Sequence, residues 1–189
     1  MSLPPHVPGP AEGALDPPRA TTTAHRGAIF DVRVSDYRRP DGTEVRREVL
    51  DHPGAVVIVP VERDAVLLVR QPREAVERFT LELPAGKLDM PGERPRDCAR
   101  RELAEEVQRA AGRWTAWGGF FTAPAILTEY IHLFLAEELT PATHAAPDHD
   151  EGIEVVAWPL DDLDALIARV EDAKTLIGLL RLRASRGGG

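Results

Sequence analysis

A chain of 189 residues is long enough for one ordinary domain with a sizeable core and too short for two large ones. Its formal net charge of −8 excludes sequence-independent nucleic-acid binding, which relies on Lys and Arg to neutralise phosphates, so a phosphate-bearing ligand would need local basic residues or a divalent cation. Hydrophobic residues make up 43%, as in a globular protein, and no apolar run approaches the roughly 18 residues that would span a bilayer.

Residues 1–24 are Pro-rich and poor in aliphatic side chains, and they have no basic segment followed by an apolar one, so they read as a disordered leader and not as a secretory signal. The single cysteine, Cys98, cannot form an internal disulfide, which fits a reducing cytoplasm, and no membrane association is expected. Order is expected to begin near Gly27. Residues 25–52 read as a hairpin turning at Pro40-Asp41-Gly42, and two apolar runs, 55–61 and 65–69, form a second hairpin through Glu62-Arg63-Asp64. Both runs are almost continuously apolar, as in strands covered on both faces.

A short strand at 80–83 leads into a loop, and 95–109 has helical period, with Ala99, Leu103 and Val107 on one stripe. Gly112 is the expected stop of that helix. Further strands are expected at 114–121, 129–136 and 153–158, then two helices at 161–170 and 172–184, and a flexible tail at 185–189. The pattern is an α/β or α+β sandwich in which strands surround one central helix.

That helix carries Glu102, Glu105 and Glu106, with Glu93 just ahead of it. Glu102 and Glu106 lie one turn apart and point the same way, and Glu105 sits on the adjacent arc. All three flank the apolar stripe, where a merely solvated face would not put them. Like charges one turn apart repel by a few tenths of a kcal/mol, and a hard divalent cation with oxygen ligands relieves that repulsion. On spacing alone, an exposed acidic patch answered by arginines explains the same residues.

The wider segment resembles the Nudix signature, Gly-x5-Glu-x7-Arg-Glu-aliphatic-x-Glu-Glu-x-Gly-aliphatic. Gly86, Glu93, Arg101, Glu102, Leu103, Glu105 and Glu106 fill it, with one extra residue between Gly86 and Glu93, and with Gln108 and Arg109 in place of the closing pair. Further stretches, including EVRREVLDHPGAVVIVPV, LELPAGKLD and DAKTLIGLL, are similar to the ADP-ribose pyrophosphatase branch of that family. The resemblance implies a Nudix-type α/β/α sandwich of mixed sheets over residues 25–184. It also implies a homodimer formed by exchange of the N-terminal strands, and hydrolysis of ADP-ribose to AMP and ribose 5-phosphate.

It further implies that Ala85 (through its carbonyl), Glu102, Glu105 and Glu106 hold two to three Mg²⁺ or Mn²⁺ ions, with Glu93 bound to Arg101 behind them. Arg47, Glu48, Arg73 and Leu88 fall at positions implied to contact the substrate, with Ile29 or Phe30 at the adenine or, alternatively, in the core. Glu151 is favoured as the general base, with Glu129 as its rival and a nucleotide neighbour. The loop before Glu129 departs from the family, with Pro124-Ala125 in place of Pro-Gly. Two alternatives stay open: hydrolysis of another nucleoside diphosphate sugar or dinucleotide, and a non-catalytic nucleotide-binding module. The complete carboxylate set argues against the second.

Overall fold

The stretch 55–59, Ala-Val-Val-Ile-Val, is buried residue after residue because the strand it forms has a helical layer on each face. This computed structural model describes residues 16–142 and 152–187. Successive side chains of a strand point to opposite faces. Val56 and Ile58 of β4 (Ala55–Glu62) meet Cys98, Ala99, Leu103 and Val107 of α1 (Pro95–Val107), whereas Val57 and Val59 meet Leu163 and Leu166 of α2 (Leu163–Arg169) and Leu179 and Leu182 of α3 (Ala173–Arg186). The result is the α/β/α sandwich that the family resemblance implied.

Seven strands build the central layer among the described residues. β4 pairs with β5 (Ala65–Arg73) through a tight hairpin, and β5 also pairs with β6 (Arg78–Glu82) and with β10 (Glu154–Pro159). β4 pairs antiparallel with β7 (Ala85–Lys87) and parallel with β9 (Tyr130–Pro141), and β9 pairs with β8 (Arg109–Phe121). β4 and β5 pair only at their hairpin end and then diverge, one toward β7 and the other toward β6. Leu83 and Pro84 join β6 to β7 where the two strands part, and the loop after β7 leads into α1.

A separate three-stranded sheet precedes this layer: β1 (Ala20–Arg26), β2 (Asp31–Arg38) and β3 (Glu44–Asp51) in sequential antiparallel order. β1 begins ahead of Gly27, so ordered structure reaches into the stretch read as a leader. Its residues are all exposed and show no alternation of apolar side chains that would have flagged a strand. Backbone pairing with β2 and the contact of Thr21 Oγ1 with Ser35 Oγ at 3.0 Å hold it instead. Leu50 of β3 ties this sheet to the body, because its N–H donates to Ile126 O and its carbonyl accepts from Thr128 N–H.

The central helix stops at Val107 and not near Gly112. Gln108 takes a left-handed conformation (φ 58°), and its side-chain amide donates to the carbonyls of Ala104 and Glu105. Glutamine thus satisfies the orphan carbonyls that glycine caps leave to the backbone. Gly112 lies within β8. No described helix is long and apolar enough to cross a membrane.

α3 approaches the sheet closely at Gly178, where an added Cβ would overlap Leu83 and lie 3.3 Å from Val59. Both neighbours are fully buried. Gly178→Val is therefore expected to destabilise the protein by about 2 kcal/mol or more through overpacking, read as a lower urea midpoint at unchanged slope.

Candidate active site

α1 starts after Arg94 with Pro95 in its first turn, where a missing N–H does no harm, and buries its apolar stripe against β4, β5 and β9. That burial fixes the rotation of the helix and turns Glu102, Glu105 and Glu106 toward the β6–β7 side of the sheet. The three carboxylates line one cavity of roughly 790 Å³ with Ala85, Arg73, Arg101 and Glu129.

Glu106 is the most buried of the three and accepts the Ala85 N–H at 3.1 Å. Gly86 lies against Glu102, and a Cβ at residue 86 would overlap the Glu102 carboxyl group. Glycine is needed here for close approach, since the space of a side chain is already taken by the carboxylate.

Arg101 organises the acidic edge. Its Nε and Nη2 donate to the two oxygens of Glu93 at 3.1 Å each, and its Nη1 donates to Glu102 at 2.6 Å and Glu105 at 3.0 Å. The Glu93 hydrogen bonds hold the guanidinium firmly protonated, and those same bonds pull the Glu93 carboxyl below the usual carboxylate range. Cys98, beneath this cluster, donates to Lys87 O, and burial followed by the Glu102 charge raises its thiol to about 12. It is a buried, packed thiol.

Among the described residues, no three His, Cys, Asp or Glu side chains converge tightly enough to enclose an ion. The Arg101 guanidinium sits between Glu102 and Glu105. Even so, the residues fit a hard divalent cation. Three carboxylates edge one cavity beside a loop backbone, a positive group already sits between two of them, and glycine clears the approach to Glu102.

The remaining predicted residues divide. Glu129 reaches the cavity, where Thr122 Oγ1 donates to its Oε2 at 2.7 Å and His52 Nδ1 lies 3.5 Å from its Oε1. Arg73 lines the same cavity. Arg47 and Glu48 lie exposed on β3 and do not line the cavity within one chain. Leu88 packs into the α1-side core instead of lining the cavity. Ile29 is 61% exposed and lines the cavity, and Phe30 is 38% exposed, so neither belongs to the core. Glu151 lies outside the described residues.

A family model of the NUDIX domain matches residues 51–179. The chain belongs to the Nudix family. This Nudix protein is 38% identical over 161 residues to an ADP-ribose pyrophosphatase of Bacillus subtilis (strain 168), covering 83% of this chain and 86% of that one. It is 33% identical to a GDP-mannose pyrophosphatase of Cronobacter sakazakii (strain ATCC BAA-894), covering 78% and 84%. A crystal structure of an ADP compounds hydrolase superposes with a TM-score of 0.81 at 26% identity, covering 94% of this chain and 98% of that one. These relatives make the chain a Nudix pyrophosphatase, and members of the family generally depend on divalent metal.

The sequence reading of this Nudix site missed a charged knot behind Arg73. Glu82, 2% exposed, accepts Arg73 Nε and Nη2 at 2.7 Å each and Thr80 Oγ1 at 2.6 Å, and it forms a short ion pair with Lys174. Burial alone would raise the Glu82 carboxyl, but the Arg73 hydrogen bonds and the Lys174 charge outweigh it and bring it to about 2. The available signal was Asp172-Ala173-Lys174-Thr175 ahead of an apolar run, an N-cap pattern, and Asp172 does cap α3 by accepting the Thr175 N–H.

Two expectations follow. Gly86→Ala will displace the Glu102 carboxylate and lower turnover by about 100-fold, the upper range for disturbing a ligand's support, while the thermal midpoint moves little. A carboxyl depressed from 4.5 to about 2 stabilises the fold fully above pH 4.5, and that contribution is lost as pH falls toward 2. The stability gap between wild type and Glu82→Gln, measured by urea unfolding, will therefore be widest near neutrality and narrow below pH 4.5.

Proposed function

We propose that this Nudix protein hydrolyses the pyrophosphate bond of ADP-ribose to AMP and ribose 5-phosphate, using two to three Mg²⁺ or Mn²⁺ ions. One observation carries the reading: Glu102, Glu105 and Glu106 share one cavity with Arg73 and Glu129. The B. subtilis relative's name supports the choice of ADP-ribose. Glu102, Glu105, Glu106 and the Ala85 carbonyl would hold the cations. Cations held there supply charge stabilisation for the diphosphate and activate water.

The residues of this chain do the rest. Arg73 presents a planar guanidinium suited to bidentate phosphate binding. Glu93 holds Arg101, and Arg101 sets the separation of Glu102 and Glu105. Water adds to one phosphorus, the bridging P–O bond breaks, and the displaced proton goes to a carboxylate. Glu151 is our first choice for that base, and Glu129, oriented by Thr122, is the second. Ile29 at the cavity mouth and the exposed β1 support a homodimer in which the N-terminal strands are exchanged, bringing Arg47 and Glu48 of one subunit to the other's substrate. The stretch from β1 to the end of α3 would form the catalytic domain, in the cytoplasm.

The GDP-mannose pyrophosphatase relative favours a second reading, in which the chemistry stands and the nucleoside diphosphate sugar changes. With Mg²⁺ or Mn²⁺, wild type is expected to release AMP from ADP-ribose, and Glu106→Gln to lose about 100-fold in turnover. Preferential cleavage of GDP-mannose would establish the second reading. No cleavage of either substrate with either metal would leave a nucleotide-binding module.

A further inference from the structure

The two oxygens of Glu129 have different neighbours. Oε2 accepts Thr122 Oγ1 at 2.7 Å, while Oε1 lies 3.5 Å from His52 Nδ1. The His52 side chain is 9% exposed, and its Nδ1 already accepts the Gly54 N–H at 3.2 Å. An imidazole nitrogen that accepts a hydrogen bond carries its lone pair there, so the ring proton lies on Nε2. No proton then stands between Nδ1 and Oε1, and two acceptors at that range repel.

The backbone fixes both partners of this contact. The His52 N–H donates to Thr128 Oγ1 at 2.8 Å, and the Thr128 N–H donates to Leu50 O at 3.0 Å. The segment between β3 and β4 is thereby tied to the residue just ahead of Glu129. Gly54 has φ 93°, a left-handed conformation, and a Cβ there would lie 3.1 Å from Tyr130 O. Glycine therefore keeps its N–H aimed at the ring. Closing this turn needs only a short acceptor, which Asn or Asp supplies. Histidine instead brings a ring against Glu129 without adding a negative charge.

We propose that His52 is a positioning residue for Glu129: Thr122 anchors Oε2, and the His52 lone pair turns Oε1 away from the protein and into the cavity. This rests on the hydrolysis reading above. The oxygen so presented accepts an O–H of water or of substrate. His52 acts only through Glu129, so its removal matters only where Glu129 is intact.

The test is a double-mutant cycle in ADP-ribose hydrolysis with Mg²⁺, with GDP-mannose as substrate should ADP-ribose not be cleaved. It compares wild type, His52→Ala, Glu129→Gln and the double variant. His52→Ala is expected to lower kcat/KM about tenfold, less than the roughly hundredfold that a misplacement of about 1 Å can cost. In the Glu129→Gln background it is expected to cause no further loss. His52→Asn, whose amide oxygen replaces Nδ1 as the Gly54 acceptor, is expected to restore most of the activity. Equal loss from His52→Ala in both backgrounds, which a merely structural role would give, overturns the positioning role. So does no loss in either, full activity in Glu129→Gln, or a His52→Asn variant as impaired as His52→Ala. If His52→Ala fails to fold, or wild type cleaves neither substrate and the hydrolysis reading itself falls, nitrogen NMR of the histidine rings decides. It compares metal-free wild type with Glu129→Gln, and His52→Asn assigns the signal. A proton on Nε2 and a ring signal that moves in Glu129→Gln uphold the positioning, whereas a proton on Nδ1 or an unmoved signal overturns it.

Discussion

Mutual repulsion among carboxylates on one edge of α1 is the constraint around which this protein is built. Glu102, Glu105 and Glu106 cannot separate, because the adjoining stripe of the helix, Cys98, Ala99, Leu103 and Val107, is committed to the core. Each like-charge pair on a helix costs a few tenths of a kcal/mol, and the cost grows as the side chains leave water. Arg101 answers two of the three carboxylates and Glu93 anchors Arg101, while the Ala85 N–H answers the third. The tension is contained and not removed, which keeps a strongly acidic surface facing one cavity.

The sheet decides what meets that surface. β4 and β5 diverge after their hairpin, β4 pairing with β7 and β5 with β6, and Leu83 between β6 and β7 reaches the first turn of α3. Thr175 closes the junction by accepting the Leu83 N–H and donating to Asp172. Carboxylates of α1 and the cations Arg73 and Lys174 therefore line one cavity in a chain whose net charge is −8. Local charge placement, and not overall charge, makes such a site able to receive an anionic diphosphate.

Much of this was legible in the chain. The apolar runs at 55–61 and 65–69 marked strands covered on both faces, and the period of Ala99, Leu103 and Val107 gave both the helix and the register of its glutamates. Those features are short-range, since a backbone period fixes which face each side chain occupies. β1 was not legible, because a fully exposed Thr-rich strand has no buried face to pattern. The helix end was misplaced because glutamine capped it through its own side chain, a role composition assigns to glycine.

The sequence by itself determined the acidic helix and the register of its glutamates, because a backbone period fixes side-chain faces, while the loop glycine and the Glu93–Arg101 partnership were legible through the family resemblance. Only the tertiary structure decided that Glu82 would meet Lys174, 92 positions away, that Glu129 would share the carboxylates' cavity, and that Leu88 would turn into the core. Such pairings depend on how strands diverge and helices dock, and no local period encodes the distance between residues brought together by the sheet.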